Sequence, residues 1–208
     1  MKNLELTVLA PNISVEAIDE ALTMVVTQNW AALTVPPFWV KKLRRDMGAS
    51  HQVLLATVVG YPFGFGRTET KQTETEWALK DGANEIQVVL NTSAWFSNSN
   101  SWPKIELAKL GKLIHAQEAL FTVMIETPFF DVENFAVVAK IAADAGADFI
   151  QIGTGFFNQS VDYQKIEQMK SFLPTSVGLK ITTTKMHQEV LQKWEKMGVE
   201  RVCTPFLP

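Results

Sequence analysis

Eight short apolar runs, separated by amphipathic segments, predict a single α/β domain folded as a (β/α)8 barrel, the TIM-barrel architecture. The runs have strand length and recur every 22 to 35 residues along the chain of 208 residues. Near-continuous apolar strands that alternate with helices are typical of a parallel sheet covered by helices. A doubly wound sheet is the alternative, but the first run continues into LAPN without the glycine-rich loop typical of that fold.

Each predicted strand is rich in Val, Ile, Leu, Thr or Phe. The predicted strands are 4–9, 31–35, 53–59, 85–91, 120–127, 149–155, 177–182 and 201–205. Helix signals lie between them. Ser14 stands in an N-cap position before early acidic residues, and Asp131 opens a segment that ends at Gly146. Two further helical segments end in the same way at Gly82 and Gly198.

The chain stops just after the eighth run, so the last helix is predicted to be missing or truncated. Strands one and eight would then have an apolar flank that needs cover. A partner subunit is one way to supply it, and we therefore expect a homo-oligomer. No linker divides residues 1–208, and the longest polar loop is predicted at 91–104, after strand four.

Composition narrows the class of protein. With 47% hydrophobic and 20% charged residues, the chain is predicted to be globular rather than disordered. Its net charge is −3, and the one dense basic cluster, 41–45, fits the solvated face of a helix, so no nucleic-acid partner is expected. No apolar run approaches the ~20 residues of a membrane helix and no signal peptide is recognisable, so no membrane association is expected.

Cysteine and histidine usage indicates neither disulfides nor metal. Cys203 is the single cysteine, which excludes an internal disulfide and makes a cytoplasmic location the expectation. The histidines at 51, 115 and 187 have no metal-ligand spacing. We predict no metal site and no cofactor.

Six stretches together resemble one family, the deoxyribose-phosphate aldolases. These are LELTVLAP (4–11), TVVGYPFG (57–64), GANEIQVVLN (82–91), VMIET (123–127), AGADFIQIGTGF (145–156) and VGLKITTT (177–184). Thr68, Lys71 and Glu74 follow the second stretch at the spacing of that family. The resemblance runs in order along essentially the whole chain, and it implies the same barrel fold.

The resemblance implies a lyase that joins acetaldehyde to glyceraldehyde 3-phosphate or cleaves 2-deoxyribose 5-phosphate. In that family a lysine on strand six forms a Schiff base, and a second lysine on strand seven lowers the pKa of the first. An aspartate on strand four relays protons. Backbone amides and small residues after strands seven and eight hold the phosphate.

This chain departs from the family at those positions. The Schiff-base lysine falls on Gln151, and a primary amide cannot form an imine. The strand-four aspartate falls on Gln87, which does not ionise and cannot act as a general acid or base. Pro205, which has no N–H, and Phe206 replace residues of the phosphate cradle. The inherited covalent centre is therefore predicted to be absent.

Lys180 and Glu126 are the remaining candidates for catalysis. Lys180 corresponds to the strand-seven lysine, and a buried lysine with a lowered pKa can itself be a nucleophile. Glu126 ends strand five, where barrel enzymes place catalytic side chains. The structural alternative is an ion pair of Glu126 with Lys180 or Lys71, which would hold the lysine protonated.

Five residues are predicted to contact a ligand at the barrel mouth: Asn91, Thr154, Thr182, Thr183 and Thr184. Hydroxyls and helix amides around 182–185 suit a small polar or sugar-like ligand or a weak anion site. N-capping of the next helix by Thr184 would explain part of this run without a ligand.

Three functions remain open from the sequence. The chain is an aldolase-like lyase that uses Lys180, or a pseudoenzyme that binds a small polar molecule, or a subunit that supports an oligomer. In each case we expect standard cleavage of deoxyribose 5-phosphate to be absent.

Overall fold

Eight parallel strands close into a barrel in the computed structural model, which describes residues 3–97, 101–157 and 162–206. Each strand pairs with the next in sequence order, and β1 pairs with β8 to close the sheet. The strands are β1 Leu4–Thr7, β2 Ala32–Val35, β3 Leu54–Val59, β4 Glu85–Val89, β5 Leu120–Ile125, β6 Phe149–Ile152, β7 Gly178–Thr182 and β8 Arg201–Pro205. The predicted barrel and all eight predicted strands are confirmed.

Eight α-helices connect the strands among the described residues. They are α1 Val15–Thr27, α2 Pro37–Met47, α3 Thr68–Lys80, α4 Thr92–Phe96, α5 Ser101–His115, α6 Val132–Asp144, α7 Tyr163–Ser171 and α8 Gln188–Lys196. A 3-10 turn at Thr127–Phe129 follows β5. The predicted caps are confirmed, since Ser14 accepts from the amide of Ala17 at 3.3 Å and Asp131 accepts from that of Asn134 at 2.7 Å.

The polar stretch predicted as a loop, 91–104, is largely helical. It holds α4 and the start of α5, while its residues 98–100 lie outside the described part of the chain. The side chain of Asn91 starts α4 by accepting from the amide of Ala94 at 3.0 Å. Trp95 then buries its ring against Phe130, with ring centroids 5.6 Å apart. A cap and one apolar anchor thus order a stretch whose serines and asparagines had indicated a loop.

The start of the last helix differs from expectation, whereas the end of the described chain agrees with it. Helix α8 begins at Gln188 with His187 in the cap position, so the predicted N-cap at Thr184 is wrong. Thr183 instead makes a local turn, its hydroxyl accepting from the amide of Lys185 at 3.1 Å. Through Phe206, where the description ends, no helix follows β8.

The basic cluster at 41–45 lies on α2, as predicted. Leu43 faces the core, while Lys42 pairs with Asp19 and Asp46, and Arg44 donates to the carbonyl of Gly82 at 2.9 Å. Two of its cations are therefore paired within the protein, on the solvated side of the helix.

Two apolar clusters are found among the described residues. The larger lies between strands and helices and includes Leu33, Ile86 and Leu179. The smaller contains Val58, Val89 and Met124, with Leu9 and Tyr61 packed against it. By strand alternation Val89 shares the inward face of β4 with Gln87, so the smaller cluster lies inside the barrel near its mouth.

Gly64, in the loop after β3, is predicted to be intolerant of a side chain. Its φ is +72°, and a Cβ there would lie 2.4 Å from the Leu90 carbonyl oxygen and 2.6 Å from that of Val89. Gly48 has a similar φ of +80° but nothing within 4 Å. We expect Gly64→Ala to lower the free energy of unfolding by about 3 kcal/mol or more, because it adds a backbone clash to the strain.

Gly48→Ala is the control, with an expected loss of about 1 to 3 kcal/mol from backbone strain alone, because φ +80° and ψ 177° lie in a region essentially confined to glycine. Urea denaturation of both variants measures the difference. Equal losses would show that the loop moves away from β4 at little cost.

Candidate active site

Lys180 lies fully buried in the barrel interior, between two carboxylates. Its Nζ is 2.6 Å from Glu5 Oε2 and 2.6 Å from Glu85 Oε1. The predicted pairing with Glu126 is therefore wrong. The partners come from β1 and β4 instead, because strand alternation points Glu5 and Glu85 inward.

Arg201 is the second cation of this cluster. Its Nη1 lies 3.1 Å from Glu5 Oε2 and also contacts Glu85. The ring of Phe149 lies 4.8 Å from the Arg201 guanidinium carbon and 5.9 Å from Lys180 Nζ. We call Glu5, Glu85, Lys180 and Arg201 the interior ion cluster. Its two negative and two positive charges balance, which makes their joint burial tolerable.

Attraction between the opposite charges of the interior ion cluster keeps its members ionised. Burial raises the pKa of Glu85, but Lys180 and Arg201 outweigh it and lower the pKa to about 2. The pKa of Glu5 is lowered for the same reason. Burial lowers the pKa of Lys180, yet the charges of Glu5 and Glu85 raise it above the ordinary lysine value. Lys180 is therefore an ammonium ion at neutral pH, without a lone pair.

Gln87 bridges the two carboxylates. Its Nε2 donates to Glu5 Oε1 at 2.7 Å and is 3.3 Å from Glu85 Oε1. It also lies 3.0 Å from the hydroxyl of Thr34, which itself donates to Glu5 at 2.7 Å. Thr122 donates to Glu85 at 2.7 Å. An amide at position 87 thus donates hydrogen bonds to the carboxylate oxygens without adding a third negative charge.

Gln151, at the position of the Schiff-base lysine in the resemblance, lies fully buried above the interior ion cluster. Its Nε2 donates to the hydroxyl of Thr182 at 3.1 Å and lies 3.4 Å from the carbonyl oxygen of Gly153. Its Oε1 has no hydrogen-bond partner among the described residues. Thr182 in turn donates to the carbonyl of Gly153 at 2.6 Å.

Glu126 links the end of β5 to the loop after β6. Its Oε2 accepts from the amide of Thr154 at 2.9 Å and from the hydroxyl of the same residue. The side chain is 5% exposed, and burial raises the pKa of its carboxyl group. The predicted alternative pairing with Lys71 is also wrong, since Lys71 Nζ lies 2.6 Å from Glu106 and donates to the carbonyl of Val89 at 2.8 Å.

A cavity of about 710 Å³ opens at the C-terminal ends of the strands. Of the predicted ligand contacts, Thr154, Thr182, Thr183 and Thr184 line it. Asn91 does not, because its side chain caps α4. The other lining residues are Thr7, Leu9, Ala10, Pro11, Tyr61, Gly155, Phe156, Phe157, Lys185, Pro205 and Phe206.

Neither metal-binding nor membrane-spanning features are found in the described ranges. Within residues 3–97, 101–157 and 162–206, no group of three or more His, Cys, Asp or Glu side chains could hold a metal ion. Over the same ranges, no helix combines the length and apolar character needed to cross a bilayer.

Sequence reasoning missed Glu5, Glu85 and Arg201 as partners of Lys180. The available signal was a charged residue in each of three short, otherwise apolar strands. A buried charge requires an opposite charge, and counting inward-facing charges over all predicted strands would have given three acids, Glu5, Glu85 and Glu126, and two bases, Lys180 and Arg201.

Comparisons with curated proteins find similarity to deoxyribose-phosphate aldolases. No family model matches the chain. Curated proteins named deoxyribose-phosphate aldolase from Bacillus mycoides and Brevibacillus brevis are each 29% identical to it. The alignments cover 97% and 98% of this chain, and 89% and 90% of theirs.

Solved structures show the same likeness. One described as QR15, an aldolase, superposes with a TM-score of 0.88 at 26% identity and covers 98% of this chain and 89% of its own. The tetrameric deoxyribose phosphate aldolase from Aeropyrum pernix has a TM-score of 0.86 at 21% identity. This superposition covers 97% of this chain and 85% of the Aeropyrum pernix chain. The second likeness supports the fold alone.

The interior ion cluster predicts a large cost for removing Lys180. Lys180→Met deletes one cation and leaves two buried carboxylates with only Arg201 between them. We expect the free energy of unfolding to fall by about 3 to 5 kcal/mol, as for other broken buried ion pairs. Urea denaturation at neutral pH measures the loss.

The matched control is Lys140→Met, which removes the exposed pair of Lys140 with Asp144 on α6. Its stability should match that of the native chain within error. If Lys180→Met proved equally harmless, the charges in the barrel would not be paired as described.

Proposed function

Because the chain is a relative of the deoxyribose-phosphate aldolases, we propose that it keeps their barrel without their Schiff-base chemistry and binds a small polar ligand at the barrel mouth. One observation carries this proposal. The amine of Lys180 is held between two carboxylates, 2.6 Å from each.

Imine formation needs a neutral amine that an aldehyde can reach. Lys180 fails on both counts, because its pKa is raised and its side chain is fully buried. It is also not among the residues that line the cavity. Gln151 lies closer to the cavity through Thr182, but an amide nitrogen is not nucleophilic. Neither residue supports an aldolase that uses a covalent intermediate.

The cavity itself supports the binding half of the proposal. Its volume of about 710 Å³ is ample for a small molecule. Hydroxyls of Thr154 and Thr182 line it beside aromatic rings. Glu126 takes a positioning role here, since its two hydrogen bonds hold Thr154 in the loop after β6.

Borohydride trapping tests the absence of Schiff-base chemistry. The native protein is incubated with acetaldehyde or with 2-deoxyribose 5-phosphate and then reduced, and the adduct is located by intact mass and peptide mapping. We expect no stoichiometric adduct on Lys180, because its amine is protonated and inaccessible.

The double variant Gln151→Lys, Gln87→Asp is the positive control, as it returns an amine and an acid to the positions that the resemblance implies. Trapping on the new side chain would show that the barrel still admits the aldehyde. A stoichiometric adduct on Lys180 of the native chain would instead favour an aldolase whose chemistry has moved to β7.

We also propose that the chain assembles into a homo-oligomer. The Aeropyrum pernix relative is described as tetrameric. In this chain Trp77 on α3 and Trp102 and Ile105 on α5 are each more than half exposed, and these two helices pack together. We expect light scattering to give a mass above the 23.3 kDa of one chain. A monomer mass at micromolar concentration would overturn this proposal.

A further inference from the structure

Six aromatic rings form a continuous cluster at the mouth of the barrel, beside the cavity. They come from the segments that follow β3, β5 and β6, and they are Tyr61, Phe63, Phe65, Phe129, Phe156 and Phe157. We call them the mouth aromatic cluster. Three of the rings keep a large exposed surface, since Phe65 is 63% exposed, Phe156 53% and Phe129 44%. An exposed apolar surface that adjoins a cavity is typical of a ligand-binding groove.

Phe156 is the most exposed ring of the cluster that also lines the cavity. It meets three neighbouring rings edge to face. The interplanar angles and centroid distances are 76° and 6.5 Å to Tyr61, 74° and 5.2 Å to Phe63, and 83° and 5.2 Å to Phe157. Aromatic rings prefer this arrangement because the edge of one ring is positive and the face of the other is negative. A ligand ring in the cavity would extend the same packing onto the exposed part of Phe156.

Hydrogen bonds hold the backbone of Phe156 in place. Its amide donates to the hydroxyl of Thr154 at 3.2 Å, and this hydroxyl donates to Glu126. The amide of Thr154 donates to the same carboxylate at 2.9 Å. Because the loop that carries the ring is already fixed, less conformational freedom is lost when a ligand packs against it, and this favours affinity.

Threonines and one exposed lysine, Lys185, make up most of the polar part of the cavity lining. The threonines are Thr7, Thr154, Thr182, Thr183 and Thr184. A threonine hydroxyl both donates and accepts hydrogen bonds, so this part of the lining suits a ligand that ends in a hydroxyl group or in a carboxylate. The mouth aromatic cluster is therefore the feature that distinguishes one class of ligand from another.

We propose that the mouth cavity selects a small molecule that carries an aromatic ring, and that this ring packs edge to face against Phe156. This inference rests on the proposed ligand-binding function and names the class of ligand, an arene with one polar end that lies against the threonines. Phe156 is then a specificity-determining residue, because it distinguishes an aromatic ring from an aliphatic ring of the same size.

Titration calorimetry with two matched pairs of probes tests this proposal. One pair is 3-phenylpropanoate and 3-cyclohexylpropanoate, and the other is 3-phenylpropan-1-ol and 3-cyclohexylpropan-1-ol. Within a pair only the ring changes. The cyclohexyl ring has the larger apolar surface, so a wall that acted only by burying apolar surface would favour it. We expect instead that each phenyl compound binds more tightly than its cyclohexyl partner, by about 2- to 10-fold.

The variant Phe156→Leu tests whether this ring makes the distinction. Leucine keeps an apolar side chain in the wall and removes the ring, so the preference for the phenyl compounds should disappear. Phe38→Leu is the matched control. Phe38 on α2 is 82% exposed and also meets a neighbour edge to face, Trp39 at 5.0 Å and 84°, but it does not line the cavity. This variant should keep the native preference, and urea denaturation checks that both variants fold.

Two results would overturn the inference: cyclohexyl compounds that bind the native chain as tightly as their phenyl partners, or a phenyl preference that persists in Phe156→Leu. The non-aromatic probes 2-deoxyribose and 2-deoxyribose 5-phosphate separate its failure from that of the proposed function. If either sugar binds and no arene does, the inference fails and the proposed ligand-binding function stands. If none of the six compounds binds, both fail, while the trapping result stands independently.

Discussion

The barrel interior is organised by one constraint, the mutual neutralisation of four buried charges. Glu5, Glu85, Lys180 and Arg201 come from β1, β4, β7 and β8, so their contacts tie together strands that are distant in sequence. If any one member is removed or loses its charge, another is left buried without an opposite charge. The barrel interior solvates such an ion poorly, so the change is costly. A lysine under this constraint serves structure, and its chemistry as an amine is suppressed by the partners that make it tolerable.

The two glutamines keep formal charge out of the barrel interior. Gln87 donates to acceptors on Glu5 and Glu85, whereas the aspartate that the resemblance implies at this position would repel both carboxylates. Gln151 places an uncharged amide where the resemblance implies an amine. The interior ion cluster is therefore balanced by its own four members, and neither glutamine adds a charge to it.

The fold was predictable from sequence because the apolar runs of a parallel barrel are buried on both faces, and the predicted strands match the observed ones within a few residues. The ion pairs inside the barrel were not predictable from sequence, because they depend on the register between strands. Lys180 is level with Gln151, and Gln151 with Met124, so Glu126 lies two residues nearer the mouth and cannot replace Glu85. Asn91 shows a second limit, since an asparagine after a strand serves equally well as a ligand contact or as a helix cap, and only the ring of Trp95 buried behind it favours the cap.

The interior ion cluster and the mouth cavity are built from different residues. The four charged residues do not line the cavity, whose wall combines loop residues such as Phe156 with strand residues such as Thr182. Gln151 lies at the boundary. Its nitrogen is bonded to Thr182, and its oxygen has no partner among the described residues. Exchanging a lysine for a glutamine at this one position therefore removes the amine that the resemblance implies, and with it the means of forming an imine with an aldehyde.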